Sequence, residues 1–302
     1  MGEDNGRGDT IRTYDPLLPK QMRYQTALRP DSRYSTGWNK RPCSATVLSM
    51  SAKAYPVPWL EPQQAFPDVR QAWGPGTPAP GLLAAGGTLD PGTLRQAYAQ
   101  GIFPWFGLGE PILWWSTDPR MVLEVDRFIL HRSLRKSLEK FLRTPGCTIR
   151  IDSAFESVIA ACASSPRAGQ SSTWIVADMV RAYKQLHLSG LAHSVETWID
   201  GSLVGGLYCV ALGRAVFGES MFARVSDASK IALAALVAFC RHHQIAMIDC
   251  QQNTRHLASL GARELRREEF LAHIAKAREL PEPQWRFDPL YWRTLSNRFV
   301  KL

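Results

Sequence analysis

The chain reads as an α+β protein, a largely antiparallel sheet covered by helices and preceded by a small unit of different composition. Three observations predict this. From residue 148 onward, strand-like and helix-like runs follow in the order β-α-α-β-β-β-α-β-α-β. Residues 226–243, between two apolar strands, are apolar nearly all round (Ile231, Leu233, Leu236, Val237, Phe239, Cys240), which marks a buried helix. Residues 51 to about 122 are instead rich in Pro, Gly and Trp and keep no steady period.

Residues 1–49 carry eight Lys/Arg against five Asp/Glu and no apolar run longer than two. Such a stretch cannot bury enough surface to offset its ordering entropy, so disorder is expected. A basic nucleic-acid arm is the alternative, and the favoured reading is that Met50 is the true start of the protein. In the unit 51–122, Asp90-Pro91 is a helix start, with Asp as N-cap and Pro at the first helical position, and Gly101 ends that helix. Two short aromatic runs follow, Ile102–Phe106 and Ile112–Ser116, which bring Trp105, Trp114 and Trp115 within eleven residues. They suit either a packing cluster or a stacking surface. Little other regular structure is expected there.

Helix 131–142 carries Arg132, Arg135, Lys136 and Lys140 in one stripe, either a solvated face or a phosphate contact. Strand 148–151 leads to a helix from Ser153, where Glu156 completes a capping box. After a loop through Trp174, a helix runs from about Asp178 to Ser189 and stops at Gly190. Three strands follow, 193–199, 202–212 and 215–222, the first two joined by a tight Asp200-Gly201 turn. The helix 226–243, strand 245–250, a short helix 253–260, a strand near 263–265 and helix 267–278 complete the catalytic-size unit 123–280. The tail 281–302 is polar and aromatic and carries no clear element.

At 302 residues and 45% hydrophobic content, the chain can build a proper core. Its net charge of +9 favours polyanionic partners, nucleic acid first. The six cysteines form no Cys-x-x-Cys pair and no signal peptide precedes them, so reduced thiols and a cytoplasmic location are expected. No apolar stretch approaches the ~20 residues needed to span a bilayer. The histidines lack metal-ligand spacing, and neither a phosphate loop nor a dinucleotide fingerprint is present. No metal and no cofactor are therefore expected.

The most telling segments are Phe217-Gly218-Glu219-Ser220-Met221-Phe222 and Ile248-Asp249-Cys250-Gln251. Each apolar strand holds one carboxylate, and an unpaired buried charge costs several kcal/mol (roughly). Neighbouring strands would bring Glu219, Asp249 and Gln251 together, a pattern that fits a site as well as a satisfied core. The order of elements is that of the acyltransferase fold of the GNAT type, which alone does not fix function.

At this point the residues resemble those of the leucyl/phenylalanyl-tRNA–protein transferases. The likeness runs from about Phe66 to Leu280, through Gly81–Gly87, Gly101–Phe106, Pro111–Ser116, Asp118-Pro119-Arg120 and Thr173-Trp174-Ile175. It continues through His193–Glu196, Gly218–Phe222, Ala228-Ser229-Lys230 and Ile248–Gln251. Each motif is weak alone; the ordered set is specific. The resemblance implies a GNAT-like acyltransferase domain with a small N-terminal α/β domain. It implies transfer of Leu, Phe or Met from aminoacyl-tRNA to a protein with N-terminal Arg or Lys, in the bacterial N-degron pathway, without metal or acetyl-CoA. On the same basis Asp249 and Gln251 are the catalytic pair, Glu219 lines their site, and Trp105 and Trp174 hold the 3′-terminal adenosine. The acyl pocket maps to Leu207, Val216, Met221, Leu233, Leu236, Cys240 and Ile248, where Val216, Leu236 and Cys240 suggest a roomy variant. Arg132, Lys136 and Lys140 match a tRNA-contact helix.

The chemistry is consistent with that assignment. An aminoacyl ester is already activated, so an amine needs alignment, a proton acceptor and oxyanion support. Either Gln251, polarised by Asp249, or Asp249 itself can take that proton. Two other readings compete. A small-molecule acyl-CoA transferase of the same fold would need a glycine-rich turn where Ala223-Arg224-Val225-Ser226-Asp227-Ala228 stands. A non-enzymatic tRNA-binding protein would leave the carboxylates unexplained.

Overall fold

The computed structural model describes residues 55–165, 175–296 and Phe299. The expectations for residues 1–49, the start at Met50 and the placing of Trp174 lie outside the described residues.

The Pro/Gly/Trp-rich unit is more regular than expected. It holds a four-stranded sheet of β1 (Trp59–Leu60), β2 (Leu82–Gly86), β3 (Phe103–Pro104) and β4 (Leu113–Trp115), in the order β1-β2-β4-β3. All five residues of β2 are buried, so it shows no alternation, and the other strands are too short to show a period. α1 (Pro91–Ala99) starts as expected: the Asp90 carboxylate accepts from the Thr93 backbone N–H at 3.0 Å. Its buried face is Leu94, Ala97 and Tyr98.

The larger sheet has seven strands, β5 (Arg120–Glu124), β6 (Cys147–Ile151), β7 (Ala192–Ile199), β8 (Ser202–Leu212), β9 (Ala215–Ala223), β10 (Met247–Gln251) and β11 (Arg263–Leu265). Their order is β11-β5-β10-β9-β8-β7-β6, with every pair antiparallel except β9 and β10. That parallel pair needs a crossover, supplied by α5 (Ala228–His242). Strand β5 carries no sequence signal of its own, and the boundary expected between residues 122 and 123 falls inside it.

One face of this sheet meets α1, α3 (Phe155–Ser164) and α4 (Ala177–Leu188) around Tyr98, Phe155, Tyr183 and Phe217. The other face meets α5 and α2 (Arg132–Arg143) around Leu134, Leu138, Val237 and Phe239. Gly205 in β8 lets the start of α5 close on the sheet, since a Cβ there would lie 2.5 Å from that of Ala228. α6 (Arg255–Ser259) and α7 (Arg267–Ala277) follow β10 and β11. Among the described residues, no helix is long and apolar enough to cross a membrane.

Two further expectations change. α3 does not use Ser153 and Glu156 as a capping box. The buried Glu196 of β7 accepts from the Ser153 hydroxyl and from the Ala154 N–H at 2.7 Å, while Glu156 pairs with Lys184. The tail also carries definite structure: Trp285 stacks on His193 and Phe239, and a 3-10 turn at Pro289–Thr294 packs on α5 with Trp292 buried. Arg241 holds it by donating to the Thr294 carbonyl at 2.9 Å.

Candidate active site

β9 and β10 remain paired only at Val216–Ile248 and Phe217–Asp249. Beyond those pairs the strands part, and the residues that follow on each, Gly218–Met221 and Cys250–Gln252, line a cavity of about 170 Å³. Two parting strands thus make an opening inside an otherwise continuous sheet. Its apolar wall is Leu207 from β8, Met221, Leu233 and Leu236 from α5, Ile248 and Leu257. Phe103, Pro104 and Trp105 close it from the small sheet, where the Trp105 carbonyl accepts from the Trp115 indole N–H at 2.7 Å. Val216 and Cys240 do not reach the wall. Both are buried in the core cluster that also holds Leu233, Leu236 and Ile248, so the roomier pocket expected from these two positions has no direct opening into the cavity.

Glu219 and Gln251 lie on the cavity. The Glu219 carboxylate accepts from the Tyr98 hydroxyl at 2.7 Å, the Tyr183 hydroxyl at 3.0 Å and the Gln251 side-chain amide at 3.3 Å. The two tyrosine oxygens are 2.5 Å apart. Apolar surroundings raise the Glu219 pKa from 4.5 to about 7, against the lowering effect of the tyrosine hydrogen bonds. The same burial pushes the two tyrosines well above their usual range, so both stay protonated donors.

Asp249 lies behind these two groups. It is buried and bound on both oxygens by Arg120, Oδ1 to Nε at 2.8 Å and Oδ2 to Nη2 at 2.6 Å. Oδ1 also accepts the Gln251 backbone N–H at 2.9 Å. The Arg120 guanidinium lies between the Phe103 and Phe270 rings, 4.7 and 4.6 Å from their centroids, and donates to the Gly101 carbonyl at 3.2 Å. β10 bulges between Asp249 and Gln251, and Gln251 has φ +55°. The Thr117 hydroxyl donates to the Gln251 carbonyl at 3.1 Å. Glu219 and Gln251 therefore face each other, with Asp249 behind as the group that holds the bulge.

Arg132, Lys136 and Lys140 form an exposed stripe on α2, opposite the buried Leu134, Leu138 and Phe141. α2 meets the cavity's surroundings at two points: Ser137 donates to the Asp227 carboxylate at 2.7 Å, and His131 bonds the Ser259 carbonyl of α6. Sequence reasoning missed Arg120, Tyr98, Tyr183 and His256. The tyrosines sit on ordinary buried helix faces, and Arg120 opens a strand that the sequence did not mark, so neither carried a signal. Among the described residues no cluster of His, Cys, Asp or Glu is arranged to hold a metal ion.

A carboxylate raised toward neutrality at an apolar cavity, with an amide set against it, is an arrangement of the kind that enzyme sites use. Residues 122–275 match the family model described as leucyl/phenylalanyl-tRNA protein transferase, and residues 87–118 match that of its N-terminal domain. A leucyl/phenylalanyl-tRNA–protein transferase of Polaromonas sp. is 67% identical over 240 residues, covering 80% of this chain and 94% of its own. Its namesake in Albidiferax ferrireducens is 64% identical over 246 residues, covering 82% and 97%. That of Leptothrix cholodnii is 58% identical over 246 residues, covering 80% and 96%. The chain belongs to the leucyl/phenylalanyl-tRNA–protein transferase family and is a transferase.

Proposed function

We propose that this protein transfers leucine, and also phenylalanine and methionine, from aminoacyl-tRNA to the α-amino group of proteins with N-terminal Arg or Lys, marking them for degradation. The observation that carries this reading is the cavity between the parted strands, apolar at its wall and carrying one uncompensated carboxylate, Glu219. A cavity of about 150 Å³ with aliphatic walls holds a benzene molecule, so 170 Å³ has room for a leucyl or benzyl side chain. The charge of Asp249 is already matched by Arg120, which leaves Glu219 to attract a cationic N-terminal residue.

In the proposed reaction the amine nitrogen attacks the ester carbonyl, the C–N bond forms, and the bond to the ribose oxygen breaks. The Gln251 carbonyl accepts a hydrogen bond from the amine, and Glu219, poised near neutrality, takes the amine proton and returns it to the departing ribose oxygen, which leaves as a hydroxyl. Asp249 acts as a positioning residue, because Arg120 and the Gln251 N–H occupy both its oxygens. Trp105 would stack on the terminal adenosine, and Arg132, Lys136 and Lys140 would contact the tRNA backbone. The seven-stranded sheet and its helices form the GNAT-like domain in this reading, and the four-stranded sheet the small N-terminal one. An acyl-CoA donor is disfavoured, since Asp227, bonded to Ser137 and Lys230, stands at the turn where pyrophosphate would need free backbone amides.

The test is transfer of labelled leucine from Leu-tRNA to a peptide beginning with Arg, beside the same peptide beginning with Ala. Incorporation into the Arg peptide alone is expected. Equal labelling of both would remove the acceptor rule, and no labelling would remove the reaction.

A further inference from the structure

Two polar groups of the cavity differ in their neighbours. Glu219 accepts from Tyr98, Tyr183 and the Gln251 side-chain amide, whereas His256, on α6, stands in the field of Lys230 at the start of α5. His256 lines the cavity, and its Nε2 is shut off from solvent without a hydrogen-bond partner among the described residues. An unmet buried nitrogen is costly, so it points to a group that arrives with the substrate. Burial first, and then the charge of Lys230, lower the His256 pKa and keep the ring neutral at physiological pH.

The choice of partner follows from chemistry. A neutral ring beside the Lys230–Asp227 pair offers an ammonium little, and Glu219 serves it better. An apolar side chain would leave Nε2 unmet. A hydroxyl can both donate and accept, so it satisfies either tautomer of a neutral imidazole. The donor of the proposed reaction offers one next to the ester, on the ribose that carries the acyl group. The location agrees, because α6 is tied through Ser259 to His131 at the start of α2, the helix with the exposed basic stripe. A tRNA end passing along that stripe would enter beside His256.

We propose that His256 Nε2 hydrogen-bonds the free ribose hydroxyl adjacent to the aminoacyl ester and so sets the position of the donor end. This rests on the aminoacyl-tRNA reading above. His256 is a binding and positioning residue in this account, and takes no proton from the attacking amine.

The experiment compares two donors, ordinary Leu-tRNA and Leu-tRNA whose terminal nucleotide lacks the free hydroxyl, with the wild-type protein, His256→Leu and His256→Asn. The wild type should lose about 10-fold in kcat/KM on the deoxy donor, the range of one neutral hydrogen bond. His256→Leu should show the same loss on the ordinary donor, mostly as a raised KM, and no further loss on the deoxy donor. His256→Asn, which keeps a hydrogen-bonding side chain, should recover part of it. A wild type indifferent to the hydroxyl overturns the proposal without any variant having to fold. So does a His256→Leu variant that loses a further 10-fold on the deoxy donor. Absence of transfer from the ordinary donor to wild type would overturn the functional reading itself, and it is seen first and separately.

Discussion

Replacing Glu219 with Gln should stabilise the protein at neutral pH while impairing transfer. The folded-state pKa is about 7 against an ordinary 4.5. Its upward direction means that the folded state holds the proton more tightly than the unfolded chain. Between those two values the folded protein binds more protons than the unfolded one, so stability falls as pH rises from about 4.5 to about 7 and is then flat. A difference of 2.5 units (7 minus 4.5) at 1.36 kcal/mol each is on the order of 3 kcal/mol. Gln has nearly the same shape and no charge to desolvate. It must satisfy Tyr98 and Tyr183 with one acceptor and one donor instead of a carboxylate, which offsets part of the gain, on the order of 1 kcal/mol. Urea denaturation at pH 4, 5.5, 7 and 8.5 is the assay, at ionic strength held constant. The variant should match or fall slightly below the wild type at pH 4 and exceed it by about 2 kcal/mol at pH 7 and above. Transfer by the wild type should rise through about pH 7, and Glu219→Gln should lose that limb. A stability difference that does not change with pH would show that the Glu219 carboxyl titrates normally, and the case for it as the poised proton acceptor would fall with it.

Arg120→Met leaves the Asp249 carboxylate buried and unpaired, so it should cost about 3–5 kcal/mol in urea unfolding. Arg120→Met combined with Asp249→Leu should regain most of that stability without regaining transfer, and recovery of both would mean that the pair does not position Gln251. Arg132→Glu, Lys136→Glu and Lys140→Glu together should shift stability by no more than about 0.5 kcal/mol, since all three side chains are exposed. The same triple variant should flatten the salt dependence of tRNA binding by roughly 2–3 in log–log slope, and an unchanged slope would move the tRNA to another face.

The helices and strands from β6 to α7 were legible because their apolar residues recur at helical or strand spacing over enough length to be distinguished. α5 is the plainest case, with twelve of its fifteen residues buried. β5 was not legible: it is five residues long, begins and ends on a charged residue and follows a proline, yet it joins β10 to β11. The small sheet failed for the same reason, with strands of two to five residues. At the site, Glu219 and Asp249 announced themselves as acids in apolar strands, but their partners did not. Arg120 precedes Asp249 by 129 residues and Tyr98 precedes Glu219 by 121, and no local pattern reports such a meeting. The two carboxylates therefore looked alike in the sequence and differ in the fold, one paired with a guanidinium and the other raised toward neutrality by apolar surroundings against the pull of its hydroxyl donors.

That division explains why an ion pair stands where an apolar core would do. A buried pair rarely adds net stability over well-packed apolar residues, because desolvation of both charges consumes the attraction. What the pair supplies is direction. Arg120 reaches from β5 to the Gly101 carbonyl and lies between Phe103 of the small sheet and Phe270 of α7, so its guanidinium is fixed by three separate elements. Asp249 is fixed by it in turn, and through Oδ1 it holds the Gln251 N–H in a backbone conformation that residues other than glycine seldom adopt. Without that bond Gln251 keeps only the Thr117 hydroxyl on its carbonyl to hold it at φ +55°, and a regular strand there would lose the register shift that turns its amide toward Glu219. The buried charge is thus best understood as the support of the bulge, and the bulge as the device that places an amide across the cavity from the Glu219 carboxylate.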